Sequence, residues 1–423
     1  MPGPIPRHLL PDNAAISTDG RLSVGGVDVH ELAQEFGTPL FVYDEEHLRA
    51  RCREAVHVFG TGVAYATKAF LCIAMAKLAY EEGMHLDVAT LGELHVAATA
   101  GVPASDCVLH GNNKSRAELE VAMEQGVGRI VVDSFDEIDR IEAIHAATGL
   151  IARVLLRITP GIEAYTHEFI ATGQDDSKFG FTVSTGLVDQ AVERSRGSAA
   201  IELLGLHAHI GSQVFRIDSM RESAAVLASF SQRFALPELS VGGGLGVAYV
   251  GEEEAPTISQ WGRAVLDAAN DAGISARVLA EPGRSIVATA GMTVYEVGTI
   301  KHLEDIRTYV SVDGGMSDNP RPVLYGSGYE AFVADRADSD RTQAVRVVGK
   351  HCESGDIIVR EGFVPDDLAV GDLLVTPVTG AYGHSLASNY NKVPRPAVVF
   401  VRNGEARVVV RRETLDDLTR LDL

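Results

Sequence analysis

The chain of 423 residues carries only four cysteines and one tryptophan, and no apolar run in it approaches the roughly 20 residues that span a bilayer. Cys52, Cys72, Cys107 and Cys352 are scattered without CxxC spacing, which excludes a zinc ribbon or a disulfide framework and fits reduced thiols in a cytoplasm. Basic residues are also scarce: 37 Lys and Arg face 58 Asp and Glu, a net charge of −21, so no nucleic-acid surface is expected. Residues 1–13 hold no apolar stretch of signal-peptide length, so neither secretion nor membrane insertion is expected. The remaining composition, 46 % hydrophobic and 22 % charged, is that of a globular protein, and this length exceeds what one core usually holds.

From about residue 60, short β-rich runs alternate with longer helix-like stretches, the pattern of βα units around a parallel sheet. The candidate strands are 62–67, 86–90, 107–111, 129–134, 153–159, 202–210, 239–244 and 277–282, and eight such units close a (β/α)₈ barrel. Helices are predicted over 91–100, 115–125, 135–147, 219–234 and 258–272, where Ala, Leu and Glu dominate and apolar residues recur at three- and four-residue spacing. After about residue 290 the pattern turns to β-rich segments at 293–300, 309–313, 344–348, 372–378, 397–401 and 406–411. The expected organisation is a barrel over 43–290, an all-β domain over 291–423, and a segment 1–42 that joins the β domain.

In such barrels the chemistry sits at the C-terminal ends of the strands. Lys68, in Tyr65-Ala66-Thr67-Lys68-Ala69-Phe70, ends the first strand between apolar segments; a lysine snorkelling at a strand end accounts for it by itself, and an amine made available for imine chemistry is the functional reading. Asp87 stands in the apolar second strand, and a structural hydrogen bond accounts for it as well as catalysis does. His110 and Asn112 end the third strand, Arg157 the fifth, and His209, Gly211 and Ser212 the sixth. His207 and His209 share a strand face and could pair on a metal, but no Asp or Glu lies near them in the sequence, so no metal is expected. Gly242-Gly243-Gly244 ends the seventh strand and Glu281-Pro282-Gly283-Arg284 the eighth, a place where barrels bind phosphate against glycine backbone. An imine-forming lysine, a phosphate cradle and a carboxylate that can hold a pyridine nitrogen protonated together suit pyridoxal 5'-phosphate.

These residues resemble the fold-type III pyridoxal-phosphate enzymes, the group of alanine racemases and basic amino-acid decarboxylases. Val312-Asp313-Gly314-Gly315-Met316-Ser317-Asp318-Asn319, Arg321-Pro322-Val323-Leu324-Tyr325, His351-Cys352-Glu353-Ser354-Gly355-Asp356 and Gly380-Ala381-Tyr382-Gly383 narrow the resemblance to the diaminopimelate decarboxylase family. It runs from about Thr38 to the C-terminus, with the motifs in the family's order. The resemblance implies that Lys68 is the imine lysine, that His209 stacks on the cofactor ring, that Ser212, Gly243 and Gly244 bind its phosphate, and that Glu281 pairs with its nitrogen. Asp87, His110, Arg157, Gly283 and Arg284 count among the cofactor-binding residues. Arg284, Arg321 and Tyr325 would hold a substrate carboxylate, Glu353 the distal ammonium, and Tyr382 both cofactor and substrate, while Cys352 would be the proton donor.

The implied reaction converts meso-2,6-diaminopimelate to L-lysine and carbon dioxide, the last step of lysine biosynthesis, in a homodimer whose Cys352 segment serves the partner subunit. A same-fold decarboxylase of D-ornithine, D-lysine, arginine or a carboxylated polyamine is the alternative. A non-catalytic pyridoxal-phosphate-binding relative is a further one, disfavoured because both Lys68 and Cys352 are present. Arg321 with Glu353 favours diaminopimelate, because a substrate without a second carboxylate would leave an arginine unpaired. The polar segment 161–180 reads as a lid over the site. Ser240 stands where the family more often has Asp or Asn, and His384 where an aromatic residue is usual, neither touching these roles directly.

Overall fold

Eight parallel strands form one continuous sheet in the computed structural model, which describes residues 3–161 and 175–423. They run Ala64–Ala66, His85–Val88, Cys107–Leu109, Arg129–Val132, Ala152–Thr159, Ile201–His207, Glu238–Ser240 and Arg277–Leu279. The Ala64 N–H donates to the Ala280 carbonyl at 2.9 Å and the Ala66 N–H to the Pro282 carbonyl at 3.1 Å, which closes the sheet into the expected (β/α)₈ barrel. Most strands end two or three residues before the apolar pattern does. Beyond the ladder the chain turns at the mouth, and Lys68, His110, His209 and Glu281 all lie in these departing residues. Ala64, Val108, Val131, Leu155 and Leu204, from five different strands, form a buried core cluster.

Four of the helices in this unit begin where a hydroxyl can satisfy the free N–H groups of a first turn. Ser115 and Thr257 each form a reciprocal capping box with Glu118 and Gln260, and Thr90 and Ser134 accept from the N–H of Glu93 and Glu137. At the opposite end of the barrel from the mouth, Arg129 Nε and Nη2 both reach Glu238 at 2.6 Å, joining the first residues of the fourth and seventh strands by a two-pronged ion pair. Gly205 is required between them: a Cβ there would lie 1.9 Å from the Glu238 carbonyl oxygen. This unit comprises Arg51–Gly246 and Pro256–Ser285.

The second unit comprises residues up to Ala50, Val247–Ala255 and Ile286–Leu423. Its main sheet runs in the order Ile357–Val364, Gln343–Val348, Arg307–Val312, Gly291–Leu303, Leu40–Asp44, Ala397–Arg402, Glu405–Val410, with Leu373–Pro377 also on Gly291–Leu303. A separate three-stranded sheet spans Ala14–Ile16, Leu22–Val24 and Val27–Asp28. The unit is the expected β domain, built mainly of strands. Helix Val29–Phe36, capped by Asp28, and the short helix Arg321–Tyr325 interrupt the strands.

Asp318 is buried in this unit, accepting from Tyr295 Oη at 2.7 Å and from the Gly315 N–H at 2.8 Å. Burial pushes its carboxyl from 3.8 up to about 7, against the two hydrogen bonds. Because the folded value lies above the unfolded one, the stability gained by keeping Asp318 protonated is complete below about pH 4 and is lost as pH rises through about 7. In Asp318→Asn, the amide oxygen can still accept from Gly315 while the amide N–H donates to Tyr295. The thermal midpoint of that variant is therefore expected to fall less than the wild type's between pH 5.5 and pH 8.5. An equal fall in both would remove Asp318 as the cause.

Candidate active site

At the barrel mouth the eighth strand delivers Glu281 into a buried polar cluster. His207 Nε2 lies 2.9 Å from Glu281 Oε2, Ser240 Oγ donates to Oε1 at 2.9 Å, and His110 Nε2 lies 3.4 Å from Oε2 and 3.6 Å from Asp87 Oδ1. The His110 and His207 rings meet edge to face at 4.9 Å. Burial alone would raise the Glu281 carboxyl; the charges and hydrogen bonds of His207 and His110 outweigh it and hold the group well below the usual carboxylate range. Burial pushes Asp87 up to about 6, with His110 opposing. Glu281 is thus the anion of the cluster.

The absence of a carboxylate near His207 held only along the sequence; in space the eighth strand supplies Glu281, and His110, His207 and Glu281 bring ligand-type atoms within 4.8 Å of one another. Ser240 bears directly on the site, since its hydroxyl bonds Glu281 and accepts from the Gly242 N–H at 3.2 Å.

His209 is held differently. The Gly243 N–H donates to its Nδ1 at 3.2 Å, which leaves the ring hydrogen on Nε2. Burial, reinforced by Lys68 and Arg157, pushes the imidazole well below its usual value, so the ring is neutral. An uncharged flat ring fixed at one edge can stack on another ring. Gly242 and Gly244 take φ of +63° and +104°; a Cβ at Gly243 would lie 2.2 Å from the Glu281 carbonyl oxygen and one at Gly244 2.1 Å from that of Gly211. Only glycine fits there; the Gly242 N–H is given to Ser240 Oγ and the Gly243 N–H to His209 Nδ1. Arg284 Nη2 donates to Ser212 Oγ at 2.8 Å, joining the ends of the eighth and sixth strands, and Gly283 packs against Ala66, where a Cβ would meet 2.9 Å contacts.

Lys68 sits on the 3₁₀ turn Thr67–Ala69 between buried Thr67 and Ala69, and its own side chain is exposed. The apolar flanks that made it conspicuous bury its neighbours rather than the lysine. Arg157 lies 4.0 Å over the Phe179 ring, with Asp133 Oδ1 3.9 Å from its Nε. Asp133 also accepts from the Gly180 N–H and escaped the sequence reading, although its place at the end of the fourth strand met the strand-end criterion. Buried Lys114 is a further omission. It bonds the Gly111 and Val131 carbonyls and Glu137, tying the ends of the third and fourth strands together.

In the β-rich unit, Cys352 and Glu353 are exposed on one turn. Asn391 Oδ1 accepts from the Cys352 N–H at 3.3 Å and lies 3.2 Å from His351 Nδ1, while Asp356 accepts from the N–H groups of Met316 and His351. Tyr325 ends the short helix that Arg321 begins, and Tyr382 is half-buried with φ of +59°. His384 packs edge to face on Phe41 at 5.8 Å, and burial pushes it to about 4, so it serves there as a neutral aromatic ring. Residues 162–174 of the expected lid lie outside the described residues.

The residue types at the mouth fit a phosphate-bearing pyridine aldehyde: an ionised carboxylate for a ring nitrogen, a neutral flat ring, a glycine backbone beside Ser212 and Arg284, and a reachable amine at Lys68. That donor set defines the class as barrel enzymes of pyridoxal phosphate, and residues 45–288 match the family described as pyridoxal-dependent decarboxylase, pyridoxal binding domain. The chain is 46 % identical to a diaminopimelate decarboxylase of Mycobacterium tuberculosis over 98 % of both chains, and 44 % identical to one of Bacillus subtilis over 96 % of this chain and 95 % of the relative. The crystal structure of diaminopimelate decarboxylase from M. jannaschii in co-complex with L-lysine superposes with a TM-score of 0.90 at 31 % identity, covering 98 % of each chain. The chain belongs to the diaminopimelate decarboxylase family of pyridoxal-dependent decarboxylases.

Gly243→Ala tests the cradle. With a methyl group 2.2 Å from the Glu281 carbonyl oxygen, the variant is expected to lose bound pyridoxal phosphate and melt at lower temperature than the wild type. Unchanged cofactor absorbance and melting would contradict the close approach.

Proposed function

We propose that the chain removes carbon dioxide from meso-2,6-diaminopimelate to leave L-lysine, the last step of lysine biosynthesis, using pyridoxal phosphate. The observation that carries this reading is Glu281, a buried carboxylate kept ionised at the end of the eighth strand beside a glycine cradle. When bound, pyridoxal phosphate supplies an electron-withdrawing ring that takes up the electron pair left by departing carbon dioxide. Lys68 Nζ would hold the cofactor through its carbonyl carbon. Ser212, Gly243 and Gly244 hold the phosphate, with Gly283 and Arg284 beside them. His209 Nδ1 is tied to Gly243, so its ring keeps one orientation against the cofactor. Glu281 would pair with the pyridine nitrogen and keep it protonated, and Asp87, His110 and Arg157 would be the further cofactor-binding residues.

On the substrate side, Arg284, Arg321 and Tyr325 take carboxylate, Glu353 takes the distal ammonium, and Tyr382 touches both cofactor and substrate. Cys352 Sγ delivers the proton to the carbon that has lost its carboxylate. The working unit is a cytoplasmic homodimer in which the Cys352 turn of one subunit serves the barrel of the other. Among the described residues no helix is long and apolar enough to cross a membrane.

The test is turnover of meso-diaminopimelate by purified protein with added pyridoxal phosphate, beside D-lysine, L-ornithine and arginine. Lysine is expected from diaminopimelate, no lysine from Lys68→Ala, and a kcat about 10²–10⁴-fold lower in Cys352→Ala. Turnover of another of these amino acids with none of diaminopimelate would leave Lys68 in its role and remove the substrate assignment.

A further inference from the structure

Arg321 is a buried cation that no acid among the described residues neutralises. Its side chain opens the helix Arg321–Tyr325, the residue is 4 % exposed, and among the described residues no Asp or Glu pairs with it. Two tyrosines hold it instead. Arg321 Cζ lies 4.1 Å over the Tyr249 ring and 5.6 Å from that of Tyr329, the two rings meet edge to face at 5.2 Å, and Nη1 donates to Tyr329 Oη at 2.6 Å. Arg321 Nε is buried and bonds to none of the described residues. One face and one end of the guanidinium are therefore taken, and the edge that carries Nε is not.

The aromatic holder is itself fixed. Glu330, next to Tyr329, bonds buried Arg341 at 2.7 Å through one oxygen and accepts from the Gly251 N–H at 3.2 Å through the other. Gly251 is two residues from Tyr249, and Glu253 Oε2 accepts from the Tyr249 N–H at 2.7 Å. Glu330 thus staples the segment bearing one tyrosine to the segment bearing the other. A guanidinium stacked on a rigid ring loses little further freedom on binding, and its planar edge matches a carboxylate in two parallel bonds. A buried arginine left without an anion is unfavourable, so the arrangement gains most from a ligand that brings one.

We propose that Tyr249 and Tyr329 are specificity-determining positioning residues, which clamp Arg321 so that its Nε edge meets the second carboxylate of a diamino-dicarboxylate substrate. The inference rests on the reading of Arg321 as a carboxylate-binding residue. The clamp selects by chemical class: an amino acid that lacks the distal carboxylate gains nothing from it and leaves the buried cation unpaired.

The test compares meso-diaminopimelate with D-lysine, its counterpart without the distal carboxylate, on the holoenzyme and three variants. Tyr329→Phe keeps the ring and removes the hydroxyl that fixes Nη1; KM for the dicarboxylate is expected to rise about tenfold, the effect of one hydrogen bond to a charged group, with a smaller change in kcat. Tyr249→Leu removes the stacked face and is expected to raise the same KM about threefold. Selectivity for the dicarboxylate, as the ratio of kcat/KM values, is expected to fall by the same factors, because D-lysine does not use the clamp. Selectivity unchanged in Tyr329→Phe while Arg321→Met abolishes it would overturn the clamp and leave the role of Arg321 standing. Selectivity unchanged in Arg321→Met would overturn the reading on which the clamp rests. Tyr329→Phe decides the question by itself if Tyr249→Leu does not fold.

Discussion

A negative charge buried at the end of the eighth barrel strand is the constraint from which the rest of the site follows. Glu281 is almost fully enclosed, and a carboxylate in such a place is tolerated only when hydrogen-bond donors surround it. His207 and Ser240 supply them from the sixth and seventh strands, and His110 Nε2 stands 3.4 Å away at the end of the third. Removing one partner of a buried charge costs about 3–5 kcal/mol, far more than the pair contributes when intact. The three strand ends are therefore not free to vary independently. Barrel closure, which places the eighth strand next to the first, also fixes where Glu281 stands in the order of strand ends that contains Lys68.

The same closeness explains the glycines. The seventh and eighth strands approach until a Cβ at Gly243 would strike the Glu281 carbonyl oxygen, and the turn at Gly244 crowds the Gly211 carbonyl in the same way. Beside this packing Arg284 and Ser212 are joined, a cation and a hydroxyl of the kind that suit a phosphate. Gly243 also fixes the His209 ring through its N–H, so one residue serves both the close approach and the orientation of the imidazole. The β-rich unit uses a parallel device at Gly349 and Gly315, where an added Cβ would come within 3 Å of the Asp356 carboxylate that holds the His351 and Met316 N–H groups and so shapes the Cys352 turn.

Much of the barrel was legible because its physics is local. Buried parallel strands read as short apolar runs, and Ser115, Ser134 and Thr257 mark helix starts through caps that act within three residues. The strand-end rule then picked out Lys68, Asp87, His110, His209 and Glu281. What escaped depended on neighbours far apart in sequence. His207 was weighed only as a metal ligand because its partner Glu281 lies 74 residues away. Ser240 looked incidental until its hydroxyl proved to bond the same carboxylate, and Lys114 shows its importance only once the Gly111 and Val131 carbonyls converge on it. Tyr249 and Tyr329 were invisible for the same reason, since nothing in either segment signals that both meet Arg321.

The account turns on the ionised state of Glu281, and Glu281→Gln isolates it, because the amide keeps size and shape while removing the charge. Turnover of meso-diaminopimelate by this variant, measured with pyridoxal phosphate occupancy confirmed by absorbance, is expected to fall at least about a hundredfold with the cofactor still bound. A cofactor-loaded Glu281→Gln enzyme with wild-type turnover would show that the buried charge at the eighth strand does not govern the chemistry.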